Sequence, residues 1–96
     1  MPTYISLGNI TDQGIRNVKE VRTRAERSEQ LARELGGSLT AYPTMGPYDV
    51  VFVLEAPDDA AAARFFLTVG ATGNLRTTTM KVIPPEEFFN AASSLG

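Results

Sequence analysis

The sequence predicts an α+β fold: a four-stranded antiparallel sheet in the order β-α-β-β-α-β, with a short helix at the C-terminal end. Three observations predict it. Four short segments with strand-like apolar character are separated by glycine, proline and asparagine clusters. Two longer segments between them carry apolar residues at three-four spacing, which lines one side of a helix. One strand segment contains Pro43, and proline in a sheet is confined to edges, strand ends and bulges.

Each element follows from its residues. Thr3 to Gly8 alternates, with Tyr4 and Ser6 on one side and Ile5 and Leu7 on the other, as a half-buried strand does. "NITDQG" interrupts it. From Ile15 to Leu35 the residues Ile15, Val18, Val21, Ala25, Ser28, Ala32 and Leu35 define one helical side. Thr23 followed by Glu26 has the form of a capping box. The segment is therefore expected to form a short first helix, to break near Glu20 to Thr23 and to continue as a longer helix from Arg24. Gly36-Gly37 ends it as a C-cap.

Ser38 to Met45 is the second strand, at the sheet edge because of Pro43. "MGPYD" is the turn after it, with Pro47 at a favoured corner. Asp49 to Ala56 is apolar on both sides, as a central strand covered on both faces is. Pro57-Asp58-Asp59 opens the next helix, since a carboxylate there accepts free amide protons and complements the helix dipole. Phe65, Phe66 and Val69 form its buried side. "GATGN" ends it, Leu75 to Ile83 is the fourth strand, and Pro84-Pro85-Glu86-Glu87 opens the last helix with Phe88 and Phe89.

This order is the split βαβ, or ferredoxin-like, plait. Right-handed crossovers place strands one and three centrally and strands two and four at the edges. Two helices cover one face of such a sheet and leave the other open. The two-sided apolar third strand implies that the open face is covered by a second copy of the chain. By parity, Tyr4, Ser6, Tyr42, Arg76 and Thr78 are expected on that open face. A slip of one residue would reverse the assignment.

The 96 residues are read as one domain, residues 1–96. A chain this short buries roughly two-thirds of its unfolded surface, so oligomerisation would help it. With 43% hydrophobic and 21% charged residues it is an ordinary soluble domain. The net charge is −2, and the arginines and lysine of the first helical region are interleaved with Glu20, Glu26, Glu29 and Glu34. Such a mixed-sign run is a solvated helix side, and the one-signed basic patch of a nucleic-acid binder is missing. No signal-peptide pattern opens the sequence and no apolar run reaches membrane-spanning length, so a cytoplasmic location is expected.

The chain contains no cysteine and no histidine. That excludes disulfides, thiolate nucleophiles, cysteine metal sites and imidazole chemistry, including histidine ligation of haem. No triad, metal cluster or dinucleotide motif is present, and no cofactor is expected. "GATGN" lacks phosphate-loop spacing. Asp58-Asp59 reads as a cap rather than a metal site.

Three positions retain chemistry. Tyr48 and Asp49 are candidate catalytic residues, a phenol and a carboxylate able to move a proton or anchor a ligand. The competing reading makes Asp49 a turn clasp that accepts backbone amides. In "NITDQGIRN", Asn9, Asp12, Gln13, Arg16 and Asn17 form either a polar rim for a ligand or a loop with a helix cap at Thr11 or Asp12. Arg76, a planar fork of donors, either binds an anion or stands in water. The ligand-binding set is thus Tyr4, Ser6, Asn9, Gln13, Asn17, Tyr42, Tyr48, Asp49 and Arg76.

The stretches "TYISLGNITDQGIRNVK" and "TMGPYDVV" resemble the two signatures of the GYD-domain family, small bacterial proteins named for a glycine-tyrosine-aspartate element. Here that element is Gly46, Pro47, Tyr48, Asp49. The similarity continues through "LARELGG", "EAPDDAAAARF" and "GNLRTTTM". The resemblance implies a ferredoxin-like fold related to dimeric α/β-barrel domains. Two departures stand out. Ile10 replaces a frequent aromatic residue, and "VKEVRTRAER" replaces a serine-proline helix start.

The function expected first is a non-catalytic oligomeric module that binds a small ligand in a sheet-lined or interface cavity. The alternatives are a cofactor-free oxygenase or isomerase using Asp49 or Tyr48, and a purely structural assembly protein. The expected partners are further copies of the chain through the sheet face and a small molecule, with no nucleic acid and no membrane.

Overall fold

The computed structural model describes residues 1–96. Its strands are β1 (Thr3–Ile10), β2 (Ser38–Pro43), β3 (Val50–Glu55) and β4 (Leu75–Lys81). Its helices are α1 (Asp12–Arg16), α2 (Val21–Glu34), α3 (Asp59–Ala71) and α4 (Pro85–Ser93). The sheet order is β2-β3-β1-β4 and every pairing is antiparallel. The βαββαβ order, the central position of β1 and β3 and the edge position of β2 are as the sequence predicts. Pro43 sits at the end of β2, opposite Val50.

The start of α2 differs from expectation. The break is present, but it consists of Asn17 and a 3-10 turn at Val18–Glu20. Helix α2 begins at Val21, with Glu20 as an N-cap that makes no side-chain capping bond. Thr23 therefore lies inside the helix. What fixes this end is tertiary: Arg24 donates to the carbonyls of Gly14 at 3.1 Å and Asn17 at 2.8 Å, tying α2 to α1. The C-terminal end is as expected. Gly36 takes φ +88, and the amides of Gly36 and Gly37 donate to Arg33 and Ala32. This is the Schellman pattern, which needs a residue that tolerates the left-handed region.

Register decides the faces of the sheet. Tyr4 pairs with Leu54 and Lys81, and Ser6 pairs with Phe52 and Thr79, so these side chains share one face. That face is the covered one. Tyr4, Ala32, Leu54, Ala56, Ala62, Phe65 and Val69 form the core, and Phe65 is fully buried. Phe65 stands edge-on to Phe52 at 6.5 Å and to Phe66 at 5.0 Å, the geometry aromatic quadrupoles favour. Tyr4 and Ser6 therefore do not lie on the open face, which corrects the parity assigned from the sequence. Their polar groups are buried because they are partnered. The Ser6 hydroxyl meets the Thr79 hydroxyl at 2.9 Å, and the Tyr4 hydroxyl donates to Asp59.

The open face carries Ile5, Leu7, Val51 and Val53 on the central strands, flanked by Tyr42, Thr78 and Met80. The four aliphatic residues are half-buried, by their strand neighbours, while Tyr42 is 55% and Met80 49% exposed.

Helix α4 stands away from this body. All its residues are exposed. The radius of gyration is 15.1 Å and the extents are 54 × 31 × 18 Å. A compact chain of this length has a radius near about 12.5 Å. The difference is the projecting helix.

Candidate functional site

The "GPYD" turn joins three strands through one residue. The Asp49 carboxylate accepts the amide of Ile10 at 2.8 Å. Its own amide donates to the Gly8 carbonyl at 2.8 Å, and its carbonyl accepts the Thr44 amide at 2.9 Å. The Ile10 amide lies beyond the last β1–β3 pair, Gly8 with Val50. An aspartate at the head of β3 supplies the acceptor that the ladder no longer provides. Gly46 opens the turn at φ +134, and the Thr44 hydroxyl donates to the Tyr48 carbonyl at 2.7 Å. The Tyr48 side chain is 37% exposed. Asp49 is thus a clasp.

The adjoining loop is bound to the start of β4. Thr11 is the N-cap of α1; its hydroxyl accepts the Gly14 amide at 3.1 Å and donates to the Gly73 carbonyl at 2.6 Å. The Gln13 side chain donates to the Thr72 carbonyl at 3.0 Å and to Asn74 Oδ1 at 3.1 Å. Asn17 Nδ2 donates to the Gln13 carbonyl at 3.1 Å. A Cβ at Gly14 would lie 2.3 Å from the Asn74 carbonyl oxygen, so only glycine permits this approach.

These contacts create a polar recess of about 480 Å³ lined by Asn9, Ile10, Thr11, Asp12, Gln13, Gly73 and Arg76. Asn9 and Arg76 are cross-strand partners. Asn9 Nδ2 donates to the Pro47 carbonyl at 3.3 Å, which brings the recess up to the "GPYD" turn. The one ion pair in the structure joins Lys81 and Asp59, so the Arg76 guanidinium has no carboxylate partner. Of the residues predicted to bind a ligand, Asn9, Gln13 and Arg76 share this recess, with Asp49 and Tyr48 in the turn beside it. Tyr42 lies farther along the open face. Asn17 is spent on α1, and Tyr4 and Ser6 are in the core.

A second concavity lies on the other side of the sheet. Helices α2 and α3 diverge and leave an apolar cleft of about 560 Å³ whose lining includes Val21, Ala25, Leu31, Phe52, Val69 and Leu75, with Arg24 and Arg27 alongside. The helical stripe read from the sequence is buried at Ala32, but Ile15, Val18 and Val21 remain 55, 41 and 51% exposed. The cleft is a feature that sequence periodicity missed, because a periodic apolar stripe marks a surface that wants a partner and not which partner it has.

The strongest electrostatic coupling is at the opposite end, where Tyr4, Asp59 and Lys81 meet. Lys81 Nζ lies 2.9 Å from Asp59 Oδ1. The hydrogen bond to Asp59, then burial, then the charges of Asp59 and Asp58 push the Tyr4 phenol up to about 12. The bonds from Tyr4 and Lys81 hold the Asp59 carboxyl below its ordinary value. This cluster fastens β1 and β4 to the head of α3, where Asp58 caps the helix through the Ala61 amide at 2.8 Å. No group of three or more histidine, cysteine, aspartate or glutamate side chains is placed to hold a metal ion, and no helix is long and apolar enough to cross a membrane.

Known proteins are similar to this chain in sequence or in fold. The glutamine synthetase and cystathionine beta-lyase binding protein of Thermus thermophilus is 40% identical over 86 residues, spanning 88% of this chain and 90% of that protein. Among solved structures, At3g17210 from Arabidopsis thaliana matches with a TM-score of 0.66 at 10% identity, over 88% of this chain and 95% of its own. TTHA0845 from Thermus thermophilus matches with a TM-score of 0.58 at 19% identity, over 88% and 95%. These structures share the fold alone. The sequence profile of the GYD domain matches residues 4–92, the span from the core tyrosine of β1 to the last turns of α4, and the chain belongs to the GYD-domain family.

Proposed function

We propose that this protein is a non-catalytic module that pairs with itself through the open sheet face and, so assembled, binds another protein. The observation that carries the reading is the open face. Ile5, Leu7, Val51 and Val53 form an apolar surface that no helix of the chain covers. Only 11 of 96 residues are buried in the isolated chain, so much of the apolar content is left for contacts between chains. A two-fold pair matches such a face with itself, aliphatic centre on aliphatic centre. The relative named for binding two enzymes supports a protein as the cargo.

The test has two parts. Light scattering of the purified chain is expected to give a multiple of 10.4 kDa, and Val53→Lys is expected to give single chains. Immobilised glutamine synthetase and cystathionine beta-lyase are then offered to the wild type, with saturable capture by either expected. A wild type that stays a single chain at high concentration overturns the pairing, and failure to bind either enzyme overturns the cargo.

A second reading rests on the recess. Arg76, with no carboxylate partner, stands beside Asn9 and Gln13 and suits a small anion. Inorganic phosphate or a dicarboxylate should then raise the melting temperature of the wild type but not of Arg76→Ala, because binding the native state stabilises it by mass action. A catalytic role for Asp49 and Tyr48 draws no support from the geometry, since the Asp49 carboxylate is engaged by the Ile10 amide.

A further inference from the structure

We propose that the α2–α3 cleft of one copy receives the C-terminal helix of another, with Phe88 and Phe89 entering first. This goes beyond sheet-face pairing and does not depend on it. The helix has an apolar side made of Phe88, Phe89 and Ala92, positions that fall together at three-four spacing, and Leu95 follows just past its end. Phe88 and Phe89 stand edge-to-face at 6.2 Å and are 56 and 57% exposed, while Leu95 is 79% exposed. Nothing in its own chain covers that side.

The cleft offers the complementary surface. It is lined by Phe52 and Leu75 of the sheet, Val69 of α3, and Val21 and Ala25 of α2. Charge offers one contact besides. Helix α4 carries Glu86 and Glu87 and no basic residue, and of the two arginines that border the cleft Arg24 is engaged by the Gly14 and Asn17 carbonyls, which leaves Arg27. Of the two acidic residues there, Asp49 is engaged by the Ile10 amide, and Glu29 remains.

The occupant must come from another copy. Strand β4 starts at Leu75, in the cleft, and ends at Lys81, roughly 20 Å away at about 3.3 Å per residue. Only Val82, Ile83 and Pro84 then precede α4. The Val82 amide is fixed to the Thr3 carbonyl at 2.8 Å, and Pro84 is extended at φ −52, ψ 131. A three-residue link so held cannot turn α4 back along the length of its own strand.

The absence of cysteine allows a clean test. Ala92→Cys and Ser28→Cys chains are mixed in equal amounts and mildly oxidised, and the linked tryptic peptides are identified by mass. A disulfide joining the two kinds of chain is expected. Adding Phe88→Asp and Phe89→Asp to the Ala92→Cys chain should lower its yield by about tenfold, as loss of two aromatic anchors does. Both phenylalanines are exposed, so folding, checked by circular dichroism, is unaffected. Adding Val53→Lys to both chains removes sheet-face pairing and should leave the disulfide in place. Folded chains that give no mixed disulfide overturn the proposal. So does a double variant, Ser28→Cys with Ala92→Cys, that closes the bond within one chain at high dilution. So does a yield that the aspartate substitutions leave unchanged.

Discussion

The two faces of the sheet are built from the same strands and behave differently. The covered face holds Leu54, at 2% exposed, and Ser6, at 0%, beneath Phe65 of α3, also at 0%, and the hydroxyls of Tyr4 and Ser6 that enter it find partners. The open face holds Ile5, Leu7, Val51 and Val53, residues of higher hydropathy than the Tyr4 and Ser6 beside them, yet only half-buried. The difference teaches that hydropathy ranks what a side chain gains from burial, while partners decide what can be buried. Tyr4 and Ser6 are inside because Asp59, Thr78 and Thr79 satisfy them. Ile5 and Leu7 are outside because the chain has no third layer.

Substitutions on the two faces break or sharpen this contrast. Phe65→Ala removes the centre of the covered side and should cost about 3–5 kcal/mol in denaturant unfolding. Gly14→Ala comes next. Its Cβ would meet the Asn74 carbonyl oxygen at 2.3 Å. Overpacking of this kind costs about 1–3 kcal/mol, and the same measurement should show the loop as the most sensitive point outside the core. Asp49→Ala removes the clasp on Ile10 and should cost about 1 kcal/mol, as loss of a capping acceptor does. Val53→Ala, read at concentrations that keep the chain single, should cost about 1 kcal/mol or less, because a half-buried valine loses little transfer energy. A Val53→Ala loss as large as that of Phe65→Ala would erase the distinction between the faces.

The subtlest contrast is read through pH. The folded chain holds the Tyr4 proton up to about 12, above the ordinary 10.0. Protons bound more tightly in the folded state make stability fall as pH rises. The contribution is therefore whole below pH 10.0 and is lost as pH rises through about 12. Asp59 is held below its ordinary value of 3.8, so its contribution is present above that pH and is lost as acid protonates it. Tyr4→Phe should flatten both limbs of the stability profile relative to the wild type.

Much of the architecture is legible in the sequence, because local chemistry governs it. Pro43 marks an edge, the two-sided apolar run of β3 marks a centre, Asp58 caps α3, and Gly36-Gly37 closes α2. What escapes is settled by distant partners. Thr23 has the form of a cap, but Arg24 reaching back to Gly14 and Asn17 sets where α2 begins. The parity of β1 depends on hydroxyl partners on β4 and α3 that no local pattern announces. The recess is half legible: Asn9, Gln13 and Arg76 belong to it and Thr11 caps α1, while the roles of Gly14 and Asn74 emerge only when α1 lies on the head of β4.

The position of β1 has a kinetic consequence. It is the first strand of the chain and lies in the middle of the sheet, with Tyr4 paired to Leu54 on one side and Lys81 on the other. Such long-range pairing gives a high contact order, for which folding is slow. During synthesis β1 emerges before both of its neighbours and has nothing to pair with until β3 is made, and its second neighbour appears only when β4 is made. Ile5 and Leu7 are exposed throughout that interval, the kind of transient surface that aggregates or recruits chaperones. A ribosome stalled after Glu55 has left the exit tunnel should thus carry a β1–β3 pair with one bare edge, and the four-stranded sheet can close only once Lys81 has cleared it.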